Sequence, residues 1–97
     1  MLTAAEASDR LSWALTRDAD GRYRFACRKA MVTIRIRGVR DRVRFCARDK
    51  VTFRIDKTTL TVEQIDTGVI HRQYAWDQIE CLAAGEPETD CRDLFQG

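Results

Sequence analysis

The chain changes its hydrophobic period near residue 22. Before that point Ala4, Ala7, Leu11, Ala14 and Leu15 recur at the three- and four-residue spacing of one helix face. Thr3 and Glu6 stand ahead of them in the pattern of a capping box: the threonine hydroxyl caps an orphan amide and the glutamate reaches back. The spacing predicts a helix over residues 4–16, because alanine-rich sequence with a start signal favours helix. A competing reading makes residues 13–17 a strand, paired with the next segment across the turn Asp18-Ala19-Asp20-Gly21.

From Arg22 the period is two. Tyr23, Phe25 and Cys27 alternate with Arg22, Arg24 and Arg28. Val32, Ile34 and Ile36 alternate with Thr33, Arg35 and Arg37. Past a turn at residues 38–41, Val43, Phe45, Ala47, Val51, Phe53 and Ile55 hold the odd positions, while Arg42, Arg44, Arg48, Lys50 and Arg54 hold the even ones. Alternation of this kind puts the two sets on opposite faces of a sheet. Residues 42–56 read as one long bent strand, or as two strands joined at Arg48-Asp49-Lys50. Leu60 and Val62 alternate with Thr61 and Glu63, Asp66-Thr67-Gly68 is a turn, and residues 69–74 form a further strand. Trp76, Ile79 and Leu82 fall at short helical spacing. They predict a short helix near residues 76–84, or a strand end with one helical turn, stopped by Gly85 and Pro87.

The expected fold class is α+β: an N-terminal helix packed on a bent antiparallel sheet or small β-barrel of roughly five to seven strands. The expected core is Leu11, Leu15, Tyr23, Phe25, Val32, Ile34, Ile36, Val43, Phe45, Val51, Phe53, Ile55, Leu60, Val62, Trp76 and Ile79. A chain of 97 residues makes one domain, placed at residues 1–85, and residues 86–97 read as a mobile acidic tail. The start, MLTAAEASDR, lacks the basic end and apolar stretch of a secretory signal, and no apolar run is long enough to span a bilayer. Cytoplasm is therefore the expected compartment. The four cysteines, with no C-x-x-C pair, read as buried free thiols and not as a zinc site.

Charge changes this picture of an ordinary small domain. Residues 22–54 carry twelve basic side chains, ten of them arginine, against only Asp41 and Asp49. Residues 77–97 carry six acidic side chains and one basic, Arg92. A clustered field of one sign is a footprint of polyanion binding, and arginine's planar fork suits phosphate or carboxylate. Arg24, Arg35, Arg37, Arg44, Arg48 and Arg54 are the candidate binding residues, expected to point outward on one shared face. The aromatics follow the apolar parity, so backbone recognition is expected in place of base stacking.

No reaction can be assigned. His71 is the single histidine, and it could act with Cys46 only if the fold joined them. Gly21, Gly38, Gly68 and Gly85 are isolated, so no phosphate loop is present. No catalytic residue, metal ligand or cofactor is expected.

Residues 51–84, VTFRIDKTTLTVEQIDTGVIHRQYAWDQIECLAA, resemble the second half of a bacterial pleckstrin-homology-like domain. In that family a strand, turn and strand lead into a tryptophan–aspartate–x–isoleucine step where the chain leaves the sheet, here Trp76-Asp77-Gln78-Ile79. The resemblance implies a scaffold for protein and headgroup contacts with no fixed active site. The order of a helix, a strand ending in glycine (residues 32–38), a long bent strand (residues 42–56) and two more strands is also similar to Sm-like RNA-binding proteins. The expected function is a non-catalytic binding module for a polyanion, nucleic acid first. The alternative is a small inhibitor or adaptor docking on an acidic protein surface. Self-association stays open.

Overall fold

The structure is a computed structural model that describes residues 2–85. The expected acidic tail at 86–97 lies outside the described residues. Helix α1 spans Ala4–Leu11 and carries the full capping box: Thr3 accepts from the Glu6 amide, and the Glu6 carboxylate accepts from the Thr3 amide. Eight strands follow: β1 (Leu15–Arg17), β2 (Arg22–Phe25), β3 (Met31–Ile36), β4 (Val43–Cys46), β5 (Val51–Ile55), β6 (Thr59–Gln64), β7 (Ile70–Ala75) and β8 (Ile79–Gly85). They form two antiparallel sheets, β1-β2-β5-β6-β7 and β4-β3-β8. The fold is α+β, as the periodicity implies, but the sheets do not close into a barrel.

Every expected core residue lies in one cluster or packs against it, joined by Leu2, Ala7, Leu82 and Ala84. Phe53, on the central strand of the larger sheet, takes edge-to-face contacts from Phe25 of the same sheet and Phe45 of the other. Burying such a side chain contributes about 1.5–3 kcal/mol, so the inter-sheet layer is a main source of cohesion. Helix α1 packs its buried Ala7 and Leu11 beside β8 and β5. Ser8 of the helix and Tyr23 of β2 share a hydroxyl–hydroxyl hydrogen bond.

Two local expectations change, at the end of α1 and at residues 76–84, and at residues 42–56 one of two open readings holds. The helix ends at Leu11, not at residue 16. Ser12 turns its hydroxyl onto the Ser8 carbonyl, and Trp13 and Ala14 donate to Arg10 and Leu11, which tightens the last turn. Leu15 then pairs with Phe25 as a strand, so the competing strand reading holds from Leu15 onward. Sheet pairing outweighs helix propensity at the end of this helix.

The stretch 42–56 is two strands, one in each sheet. Between them Ala47–Asp49 form a 3-10 turn, the Asp49 carboxylate accepts from the Cys46 amide at 2.7 Å, and Lys50 takes a left-handed φ of 53°. The turn carries the chain from one sheet to the other.

Residues 76–84 are helical only as a 3-10 turn at Trp76–Gln78, and Ile79–Gly85 is a strand. Cys81, Leu82, Ala83 and Ala84 are buried on both faces of β8. A doubly buried apolar run has no alternation to tell it from a buried helix. No helix among the described residues is long and apolar enough to cross a membrane.

Candidate functional site

Parity directs each arginine away from the apolar layer, and Arg24, Arg35, Arg37, Arg44 and Arg48 are exposed while Arg54 is half-buried. They do not share one face. Arg24 and Arg54 belong to the five-stranded sheet, Arg35 and Arg44 to the three-stranded sheet, and Arg37 and Arg48 to the turns flanking β4. Alternation reports the side of a strand; it does not report which sheet the strand joins.

The two sheets treat their cations differently. On the larger sheet Arg22 and Arg54 stand directly opposite each other. Both reach Oε1 of Glu63, Arg22 through Nε at 3.2 Å and Arg54 through Nη1 at 3.4 Å. The Glu63 side chain is only 4% exposed, and a buried carboxylate is tolerated where it is paired and hydrogen-bonded in this way. Hydrogen bonding and then charge from Glu63 raise the Arg22 guanidinium pKa. Arg54 also bonds Asp56, whose second oxygen accepts from Thr61 at 2.7 Å. Arg24 donates to Asp18 at 2.9 Å. This face is an internally neutralised network.

Around β4 the cations have no such partners. Arg35 approaches Glu80 at 3.9 Å, with both groups about half exposed, an arrangement worth little. Arg28, Lys29, Arg37, Arg44 and Arg48 have no carboxylate partner among the described residues. Three of them, Arg28, Lys29 and Arg48, line a cleft of about 550 Å³ with Ala30, Met31, Cys46 and Ala47. The loop between β2 and β3 supplies one wall, and the end of β4 with its 3-10 turn supplies the other. Met31 and Cys46 are register partners, so the cleft floor lies on the face of the smaller sheet away from the core. Arg44 stands two residues before Cys46 and therefore on the same side.

Arg28 and Lys29 were not among the candidate binding residues, because the β2–β3 loop has no period to place them. Their signal was adjacency: two cations together in a segment with no neighbouring acid. The cleft can hold an anionic group between cations from two chain segments, with an apolar and thiol floor.

The fold does not assemble Cys46 and His71. The His71 ring packs edge-on against Phe45 at 6.2 Å, and Phe45 faces the core while Cys46 faces away from it. Among the described residues no group of three or more potential metal ligands converges. Cys81 is disulfide-bonded, whereas Cys27 is an exposed free thiol and Cys46 a half-buried one. The expectation of buried free thiols therefore fails at Cys81, which is bridged, and at Cys27, which is exposed; Cys91 lies outside the described residues. Bridging needs Cα atoms within about 4.4–6.8 Å, a proximity that sequence spacing does not encode.

No protein-family model, curated protein or solved structure matches this chain.

Proposed function

We propose that this chain is a non-catalytic module that binds a polyanion, nucleic acid in the first place, through the cationic cleft and the adjoining β4 strand. One observation carries the reading: carboxylates neutralise Arg22, Arg24 and Arg54 of the larger sheet, while Arg28, Lys29, Arg37, Arg44 and Arg48 around β4 are exposed and have no such partner among the described residues. Clustered cations without close carboxylate partners create a focused positive field. Arg28, Lys29, Arg44 and Arg48 are the proposed phosphate contacts. Arg35 and Arg37 extend the field along the β3–β4 hairpin. Arg24 and Arg54 leave the site and become structural.

Docking on an acidic protein surface is the second reading. Ile65, Val69 and Ile70 are exposed, and the Ile65 amide donates to Lys50, one turn from Arg48. An apolar patch beside cations is common in protein interfaces. The pleckstrin-homology-like resemblance of residues 51–84 is compatible with either partner. The cytoplasmic placement suggested by the amino-terminal sequence sits against the disulfide at Cys81, since disulfides persist in oxidising compartments.

The test is fluorescence anisotropy with labelled oligonucleotides across a salt series. Arg28→Glu with Arg48→Glu should weaken binding at least about ten-fold and reduce the slope of log affinity against log salt by about one unit per lost phosphate contact. Unchanged affinity in the double variant would overturn the site. Displacement of the oligonucleotide by polyglutamate at lower concentration than by competitor nucleic acid would favour the protein partner.

A further inference from the structure

Trp13 has no place in the core or in the cleft. Its side chain is 73% exposed, the highest value among the exposed large apolar residues of the described chain. Tryptophan is buried on average, because its ring carries a large apolar area, so an indole left in water calls for a reason. The backbone beneath it is firmly held. The Trp13 amide donates to Arg10, the Ala14 amide donates to Leu11, and the Ala14 carbonyl accepts from Ala26 at 3.0 Å. The ring is thus presented from an anchored junction between α1 and β1.

That junction is tied by a hydrogen bond to the β2–β3 loop, which walls the cationic cleft. Leu15 pairs with Phe25, and the Ala14–Ala26 bond extends the register by one residue. Exposed Cys27 and then Arg28 follow Ala26 directly. With about 5 Å across the bonded Ala14–Ala26 pair and 3.8 Å per residue along each chain, the backbones of Trp13 and Arg28 lie within about 17 Å. Next to Trp13 in the chain and across the Ala14–Ala26 bond, Ser12, Ala26 and Cys27 are small and exposed. They do not form the continuous apolar area that a protein partner would bury. An isolated flat ring next to a row of cations is the arrangement that receives an unstacked base while its phosphates meet the charges.

We infer that Trp13 stacks on a base of a single-stranded nucleic acid whose phosphates run along Arg28, Lys29 and Arg48. This deepens the polyanion reading above, rests on it, and narrows the ligand to single strands, because duplex bases are already stacked. It also departs from the expectation of pure backbone recognition.

The experiment uses three probes: a single-stranded oligonucleotide, the duplex of the same sequence, and inorganic polyphosphate, which has the charge without the bases. Trp76 is buried, and its indole N–H donates to the Asp56 carbonyl. Quenching of tryptophan emission therefore reports on Trp13. The single strand should quench the wild-type protein and not Trp13→Ala. Trp13→Ala should bind the single strand about ten-fold more weakly and polyphosphate equally well, while Trp13→Phe keeps most of the affinity. A melting temperature close to wild type, expected for so exposed a side chain, confirms that the variant is folded. Equal single-strand affinity of wild type and Trp13→Ala would overturn the inference and leave the cleft standing. So would an equal loss toward polyphosphate. Failure of the wild type to bind polyphosphate or either oligonucleotide would remove the polyanion reading and this inference with it.

Discussion

Arg22 and Arg54 face each other across neighbouring strands, a like-charge pair that costs several tenths of a kcal/mol when nothing intervenes. Glu63, one strand further on, makes that pair tolerable. It lies 41 residues from Arg22 in the chain, so the alternation that revealed two outward arginines could not reveal their common partner. Glu63→Gln keeps the shape, removes the charge and leaves two cations adjacent. Urea unfolding should show a loss of about 1–3 kcal/mol, as expected for hydrogen bonds to a charged group. An unchanged midpoint would show that the network is solvent-screened and contributes nothing. Charge alone made Arg24 and Arg54 resemble Arg44 and Arg48; only the positions of Asp18, Asp56 and Glu63 separate the two kinds.

Elements were legible where the two faces of a strand carry different chemistry, apolar on one and polar on the other, even where both are buried as in β6. β3, β4, β5 and β6 were visible through their alternation, and α1 through its cap. The ends of α1 and β8 were not, because local preference and tertiary pairing disagree in the first and apolar residues on both faces erase the pattern in the second. The β1–β2 hairpin shows how a small element is held. The Asp18 carboxylate accepts from the Arg24 side chain and from the amides of Arg22 and Asp20. These bonds, the Arg24 one foremost, hold its pKa below the usual carboxylate range. With the folded value below the unfolded one, the unfolded chain takes up the proton first. The contribution is thus complete above the unfolded value near 3.8 and is lost as pH falls through the folded value. Asp18→Asn should lower the melting temperature at about pH 6, and the gap from wild type should narrow as pH falls below the unfolded value of 3.8. A gap independent of pH would assign the effect to the turn geometry and not to the charge.

For the whole molecule, the crossing at Ala47–Asp49 matters most. It sends β4 to one sheet and β5 to the other, so arginines of one parity end on separate surfaces, one neutralised and one open. The disulfide at Cys81 is a second property of the whole molecule. Thiol labelling of the denatured, unreduced protein should modify Cys27 and Cys46 and leave Cys81 unlabelled until reduction. Labelling of Cys81 before reduction would show it to be free, and would restore the cytoplasm as a natural setting.

The sequence by itself determined the α+β class, the capped first helix, the core residues and the outward direction of the arginines. Each follows from period, capping chemistry or hydrophobicity, which act between residues close in the chain. Only the tertiary structure decided which sheet each strand joins, which arginines meet a carboxylate, which loop walls the cleft, and that Cys81 is bridged. Those outcomes depend on groups brought together across tens of residues. A hydrophobic pattern records whether a side chain avoids water, and it carries no record of the neighbour that side chain will meet.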